Sequence, residues 1–252
     1  MKYEELKLKI PVESASYNAE SRAAVKQITD IFTERLKIGS NKIIVSTNLK
    51  QGLPLENINK IAGPLIEAWA GEILVDAMVS GNRYCLENVE IQHRLDMADI
   101  VLQFKKQNTV TVANVDVKAT SNGIKGSGKS PNITSFSRIR TAYVVDPDYM
   151  FIILSLRYSV YSDRDSGTGL SRGIIEITDV NAYDLKFISA SDISYNPALG
   201  TGQVQIKDIH HVSEQYRTTW EMCQLLDKKY LMSSRRTIED FIREAGRNGW
   251  LQ

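Results

Sequence analysis

Three residues near the middle of the chain have the types and spacing for phosphodiester chemistry: Asp99, Asp116 and Lys118. They lie in the stretch 97–118, which reads MADIVLQF, a short polar break, then VTVANVDVK. The two apolar runs predict a β-hairpin, with Asp99 at the start of the first strand and Asp116-Val117-Lys118 at the end of the second. Residues two apart share a face of a strand, so Asn114, Asp116 and Lys118 point one way, and Asp116 and Lys118 stand about 7 Å apart. Val115 and Val117 point the other way, into a core. The hairpin brings Asp99 towards Asp116. Two carboxylates held close repel each other, which raises one pKa unless a cation lies between them. Mg²⁺ suits such a place, since it takes oxygens from one or two carboxylates and keeps several waters. It polarises a phosphate oxygen and lowers the pKa of a bound water. The Lys118 ammonium would orient the attacking water or neutralise charge growing on the phosphate. A Mg²⁺-dependent nuclease is the leading reading. Asp-x-Lys alone decides little, because it occurs three times: at 116–118, 184–186 and 227–229. Only the first ends an apolar strand with a second acid at hairpin distance. The bland alternative is a surface ion pair at an exposed strand end.

The elements that must position these residues follow from periodicity. Residues 19–37 read as a helix, with Val25, Ile28, Ile31, Phe32 and Leu36 on one stripe and Gly39 beyond. A second helix is predicted from Gly63-Pro64, proline taking the first turn where its missing N–H costs nothing, and ending near Gly81. Strands follow at 84–91, 100–104 and 110–118, then a Gly/Ser/Lys loop over 119–131. A helix carrying Ile133, Phe136, Ile139 and Ala142 comes next. The run MFIILSLR over 150–157 fits a central strand buried on both faces. Strand, loop and strand fill 158–188, and helix dominates from Arg217. The fold class is therefore α/β (α+β mixed), a central mixed β-sheet flanked by helices, with 1–252 forming a single domain.

Bulk properties narrow the function. The start, MKYEELKLKIPVES, is charged throughout and does not read as a signal peptide. The longest apolar run is too short to span a bilayer, so no membrane is expected. Two cysteines far apart argue against a disulfide framework and fit a reducing cytoplasm. Net charge is only +1, yet no acid falls between Val117 and Val145, where Lys118, Lys125, Lys129, Arg138 and Arg140 are basic. A phosphate backbone favours such a stretch. Within it, GIKGSGKS over 123–130 matches the phosphate-binding loop pattern of NTPases. That mechanism needs a strand leading directly into the first glycine and a helix opening at Lys129-Ser130. Residues 119–122 separate strand from glycine, and Pro131 follows at once, so no nucleotide cofactor is expected. The same loop suits DNA contact.

At this point the chain resembles the type II restriction endonucleases of the PD-(D/E)xK superfamily, in particular the blunt-cutting EcoRV/HincII-like branch. The resemblance rests on IAGPLIEAWAGEIL, ADIVLQF, NVDVKAT, KSPNITSF and NPALGTGQVQIKDIHHV…YRTTW, in order over about residues 60 to 230. It implies a restriction-endonuclease-like core in a prokaryotic cytoplasm. Asp99, Asp116 and the Val117 carbonyl would hold Mg²⁺, Lys118 would be the catalytic lysine and Glu67 an auxiliary carboxylate. Lys129, Ser130 and Asn132 would lie in the major-groove loop, with Lys125, Arg138 and Asn196 also meeting DNA. Asn132 is the favoured base contact, because an amide pairs bidentately with adenine. Ala98 stands where the superfamily's name places proline. The implied activity is cleavage of both strands of double-stranded DNA at a palindrome of about six base pairs by a homodimer, one active site per strand, leaving blunt ends and 5′-phosphates. Competing readings are a junction-resolving or repair nuclease, a P-loop NTPase and a non-catalytic DNA-binding module.

Overall fold

The computed structural model describes residues 2–81, 83–93, 95–198 and 200–252. They form two compact units. The first, Arg22–Gly128 with Ile152–Tyr183, is built on a six-stranded sheet in the order β1-β7-β6-β4-β3-β2. Its strands are β1 (Lys42–Ser46), β2 (Leu86–Ile91), β3 (Ile100–Lys106), β4 (Thr109–Ser121), β6 (Met150–Arg164) and β7 (Ser171–Asp184), and its helices α1 (Tyr17–Lys37) and α2 (Leu55–Val79). The predicted central strand is β6, between β7 and β4, where Ile152, Ile153, Leu154 and Leu156 have no exposure. A continuous apolar run is what a strand covered on both faces requires. The predicted hairpin is β3–β4, antiparallel, with Ile100 opposite Val115.

Helix α2 corrects the predicted start at Gly63. It begins eight residues earlier, at Leu55, with Pro64 in its interior. The buried stripe Ile58, Ala62, Ile66, Ala70, Leu74 and Ala77 runs unbroken past the proline. Burial of that stripe outweighs the lost backbone hydrogen bond. Gly63 eases the fit, since it has no Cβ to collide with the proline ring, and nothing lies within 4 Å of where one would stand. Pro64→Ala restores the missing bond and should raise stability by about 1–3 kcal/mol. A melting temperature unchanged or lowered would show that proline fixes the helix direction instead. The helix packs on β2 and β4. Gly71 lets it close on β2, for a Cβ there would meet Ile91 Cδ1 at 2.9 Å. It also meets α1 through Trp69 and Phe32, whose rings are 5.7 Å apart.

The second unit comprises residues 2–21, Lys129–Phe151 and Asp184–Gln252. Its antiparallel three-stranded sheet has the order β5-β9-β8: β5 (Asn132–Ser135), β8 (Ile193–Asn196) and β9 (Gln203–Ile206), with α3 (Phe136–Val145), α4 (Thr219–Leu231) and α5 (Ile238–Arg247). Ile133 thus belongs to a strand, not to the predicted helix. Helices α4 and α5 are opened by capping boxes, Thr218 with Glu221 and Thr237 with Asp240. The core is aromatic: Phe136 stacks on Tyr230 at 4.6 Å, and Trp250 meets Phe136 and Phe241 at 5.6 and 5.9 Å. Arg140 is wholly buried there, so it leaves the basic stretch read from the sequence.

Candidate active site

The hairpin register, carried one step past Ile100–Val115, sets Asp99 opposite Asp116. Asp99 is fastened across the hairpin twice. Its N–H donates to the Val115 carbonyl at 2.9 Å, and its Oδ2 accepts from the Val117 N–H at 2.7 Å. Asp116 is buried, 5 % exposed. Lys118 Nζ donates to Asp116 Oδ1 at 2.9 Å and lies 2.8 Å from Oδ2. Only the Oδ1 contact has hydrogen-bonding direction, so Oδ2 is buried with no aligned donor among the described residues. Glu67 projects from α2, whose first turns are tied to the end of β4 by Ser121 Oγ donating to Asn59 Oδ1 at 2.9 Å.

The electrostatics show one coupled cluster. Burial pushes Asp116 up to about 7 against the pull of Lys118, and the charges of Asp99 and Glu67 push the same way as burial. Desolvation and then Asp99 raise the Glu67 carboxyl, with Lys118 opposing. Three acids therefore compete for one ammonium, which leaves excess negative charge at the end of the hairpin. A buried carboxylate oxygen with no aligned hydrogen-bond donor, beside a second acid, fits a hard divalent cation. Among the described residues no group of three or more His, Cys, Asp or Glu side chains is arranged to hold a metal, so such a site would rest on two carboxylates completed by backbone and water. In the other two Asp-x-Lys sequences the aspartates are buried in the core of the second unit. Asp184 accepts from Tyr17, Ser21 and the Lys186 N–H, and Lys186 is fully buried against the Tyr17 ring. Asp227 is buried against Arg140.

The family described as type II restriction endonuclease HpaI matches residues 4–249. The chain is 61% identical over 253 residues to the type II restriction enzyme HpaI of Haemophilus parainfluenzae, covering 100% of both. It belongs to the type II restriction endonuclease HpaI family. Its activity is site-specific cleavage of DNA, its substrate double-stranded DNA, and enzymes of this type generally use a divalent metal. Family membership sets aside the junction-resolving, NTPase and binding-only readings. Among solved structures the chain is similar to the NlaIV restriction endonuclease, with a TM-score of 0.47 and 14% identity over 88% of this chain and 85% of that one. Among the described residues no helix is long and apolar enough to cross a membrane.

For a restriction endonuclease of this family, the remaining sequence candidates divide between the two units. Lys125 is exposed in the turn after β4 in the first unit. Lys129, Ser130, Asn132, Arg138 and Asn196 are all in the second. The phosphate-loop reading fails for a reason partly different from the expected one. Strand β4 runs on to Ser121, leaving one residue before Gly123, but no helix opens at Lys129-Ser130 and β5 follows instead. Lys129 bridges to Asp208 and pairs with its carboxylate, so its charge is already partnered. Arg138 is exposed on α3. The Asn196 Oδ1 accepts from the Ala198 N–H at 3.0 Å in an exposed local turn. Asn132 is exposed, and its Oδ1 accepts from Gln205 Nε2 at 2.9 Å. Sequence reading missed Gln205 and Asp208, although both lie in the segment NPALGTGQVQIKDIHHV that carried the resemblance.

Proposed function

We propose that Asp99, Asp116 and Lys118, with Glu67 beside them, are the cleavage site of this restriction endonuclease, and that it acts with Mg²⁺ as a homodimer in the prokaryotic cytoplasm. The target is a palindromic duplex site of about six base pairs, cut in both strands to blunt ends with 5′-phosphates. The observation that supports it is the buried, partly unsatisfied Asp116 carboxylate held between the Lys118 ammonium and the Asp99 side of the hairpin.

Asp99, Asp116 and the Val117 carbonyl would hold the cation, which when bound supplies charge neutralisation at the scissile phosphate and a more acidic water. The protein's own share is positional. The Val117 N–H holds one oxygen of the Asp99 carboxylate, on the strand position opposite Asp116. Asp116 holds Lys118 Nζ two residues along β4, short of the strand's end at Ser121, where the ammonium donates to a phosphate oxygen as charge builds on it. The raised Glu67 carboxyl sits on the same negative pole and can accept a proton from water near the phosphate. In the second unit, Asn132 reads a base edge, while Ser130, Arg138 and Asn196, with Lys125 of the first unit and Lys129 once parted from Asp208, meet the backbone.

Incubation of plasmid with protein and Mg²⁺, followed by end-mapping, tests the reading. Discrete bands with flush 5′-phosphorylated ends are expected; staggered ends would overturn the cut geometry. Lys118→Ala should slow cleavage by about 10²–10⁴-fold while site-specific binding persists. Lys118→Arg should not restore it, since the planar guanidinium cannot replace a compact ammonium against Asp116. Cleavage within a few-fold of wild type in Lys118→Ala would remove lysine from the mechanism.

A further inference from the structure

We infer that Gln205 is a specificity-determining residue, which reads one adenine jointly with Asn132; this rests on the base-reading role given to Asn132 above. The two residues are paired across β5 and β9 in the antiparallel register. Gln205 Nε2 makes two contacts, donating to the Ser130 carbonyl and to Asn132 Oδ1, both at 2.9 Å. The Ser130 carbonyl only accepts, so the Gln205 atom facing it must be the nitrogen. Its second hydrogen then requires an acceptor at Asn132, which makes the facing atom of that amide the oxygen. One backbone carbonyl thus fixes the orientation of both amides, the exposed Asn132 and the half-buried Gln205.

That carbonyl is itself held. Ser130 has φ +48, a left-handed conformation uncommon for a residue other than glycine, asparagine or aspartate. Its N–H donates to the Lys207 carbonyl at 3.0 Å, so both its backbone polar groups are engaged by the segment around β9. Strain of this sort persists where the surroundings over-determine it, and it gathers at functional positions.

The consequence is a defined outward pattern. Asn132 presents its Nδ2 hydrogens as donors, and Gln205 presents Oε1 as an acceptor. In the major groove adenine offers N7 as acceptor and N6–H as donor, which matches that pair. Guanine offers two acceptors, so its O6 would face Oε1 unfavourably, and pyrimidines have no N7. The bidentate contact expected of Asn132 alone is therefore shared: the donor comes from β5 and the acceptor from β9.

The test uses the full chain and the site found by end-mapping, with its adenines replaced singly by 7-deazaadenine, which lacks the N7 acceptor, or by purine, which lacks the N6 amino group. At one symmetry-related adenine, purine should cut wild-type kcat/KM by about ten- to a hundredfold. Gln205→Ala should be slowed to a similar degree on the intact site and be insensitive to purine there. Asn132→Ala should lose sensitivity to 7-deazaadenine at the same adenine. Gln205→Glu keeps the acceptor and the size but drops the two donors, and should lose site preference while melting as wild type does. If Asn132→Ala keeps its full response to every analogue, the Asn132 reading falls and the inference with it. If Asn132→Ala behaves as expected while Gln205→Ala retains the wild-type purine penalty, the share given to Gln205 alone is overturned.

Discussion

Asp116→Asn should reduce DNA cleavage by at least about a thousandfold while leaving the protein folded and able to bind its site. The change preserves size and one acceptor oxygen, and removes the charge that holds Lys118 and would hold a cation. The same substitution should also alter the response to pH. Asp116 is pushed up to about 7 in the folded chain from its ordinary 3.8, chiefly by burial. A carboxyl whose pKa is raised by folding contributes stability that is full below about 4 and is lost as pH rises through about 7. With metal chelated, wild-type melting temperature should therefore fall across that window more steeply than that of Asp116→Asn. Adding Mg²⁺ should flatten the wild-type profile and leave the variant unmoved. Parallel profiles for the two proteins would place Asp116 in a solvated, uncoupled environment and undo the site.

The β3–β4 hairpin was legible because its geometry is local. Alternation over VTVANVDVK sets the faces, and a short polar break fixes which residues of β3 and β4 meet, so Asp99 and Asp116 can be matched from spacing alone. The buried run of β6 was legible for a similar reason. What the sequence could not show were pairings over long separations. Lys129 finds Asp208 and Asn132 finds Gln205, each more than seventy residues away, and no periodicity marks either. Arg140 looked like part of a DNA-facing basic stretch because its partner, Asp227, is eighty-seven residues on. Pro64 misled for another reason. Local propensity puts proline in the first turn of a helix, and only the buried stripe beneath it shows that packing prevails. The spare Asp-x-Lys pairs illustrate the same limit: Asp184-Leu185-Lys186 has the spacing of a catalytic pair, yet its burial makes it a structural one.

Asp227→Ala should destabilise the second unit by about 3–5 kcal/mol, the cost of leaving a buried charge without its partner. Both side chains of the Arg140–Asp227 pair have no exposure. Arg140 Nε and Nη2 donate to the Asp227 oxygens at 3.0 and 3.2 Å, and the Tyr3 hydroxyl donates to the same carboxylate at 2.8 Å. The guanidinium lies 5.2 Å from the Trp250 ring centroid and 5.8 Å from that of Trp220, so no water replaces the lost carboxylate easily. At roughly 2–4 °C per kcal/mol for a chain of this size, melting should drop by about 6–20 °C. Replacing both partners, Arg140→Met with Asp227→Leu, should recover most of the loss, because the penalty belongs to the unpaired charge and not to the absence of an ion pair. A single variant melting within a degree of wild type would show that the guanidinium reaches solvent after all. The pair joins α3 to α4, and α3 continues directly from β5, the strand that carries Asn132. Loosening it should therefore blur site preference at temperatures where cleavage itself continues, and cleavage at near-cognate sites by Asp227→Ala, measured a few degrees below its melting point, reads that directly.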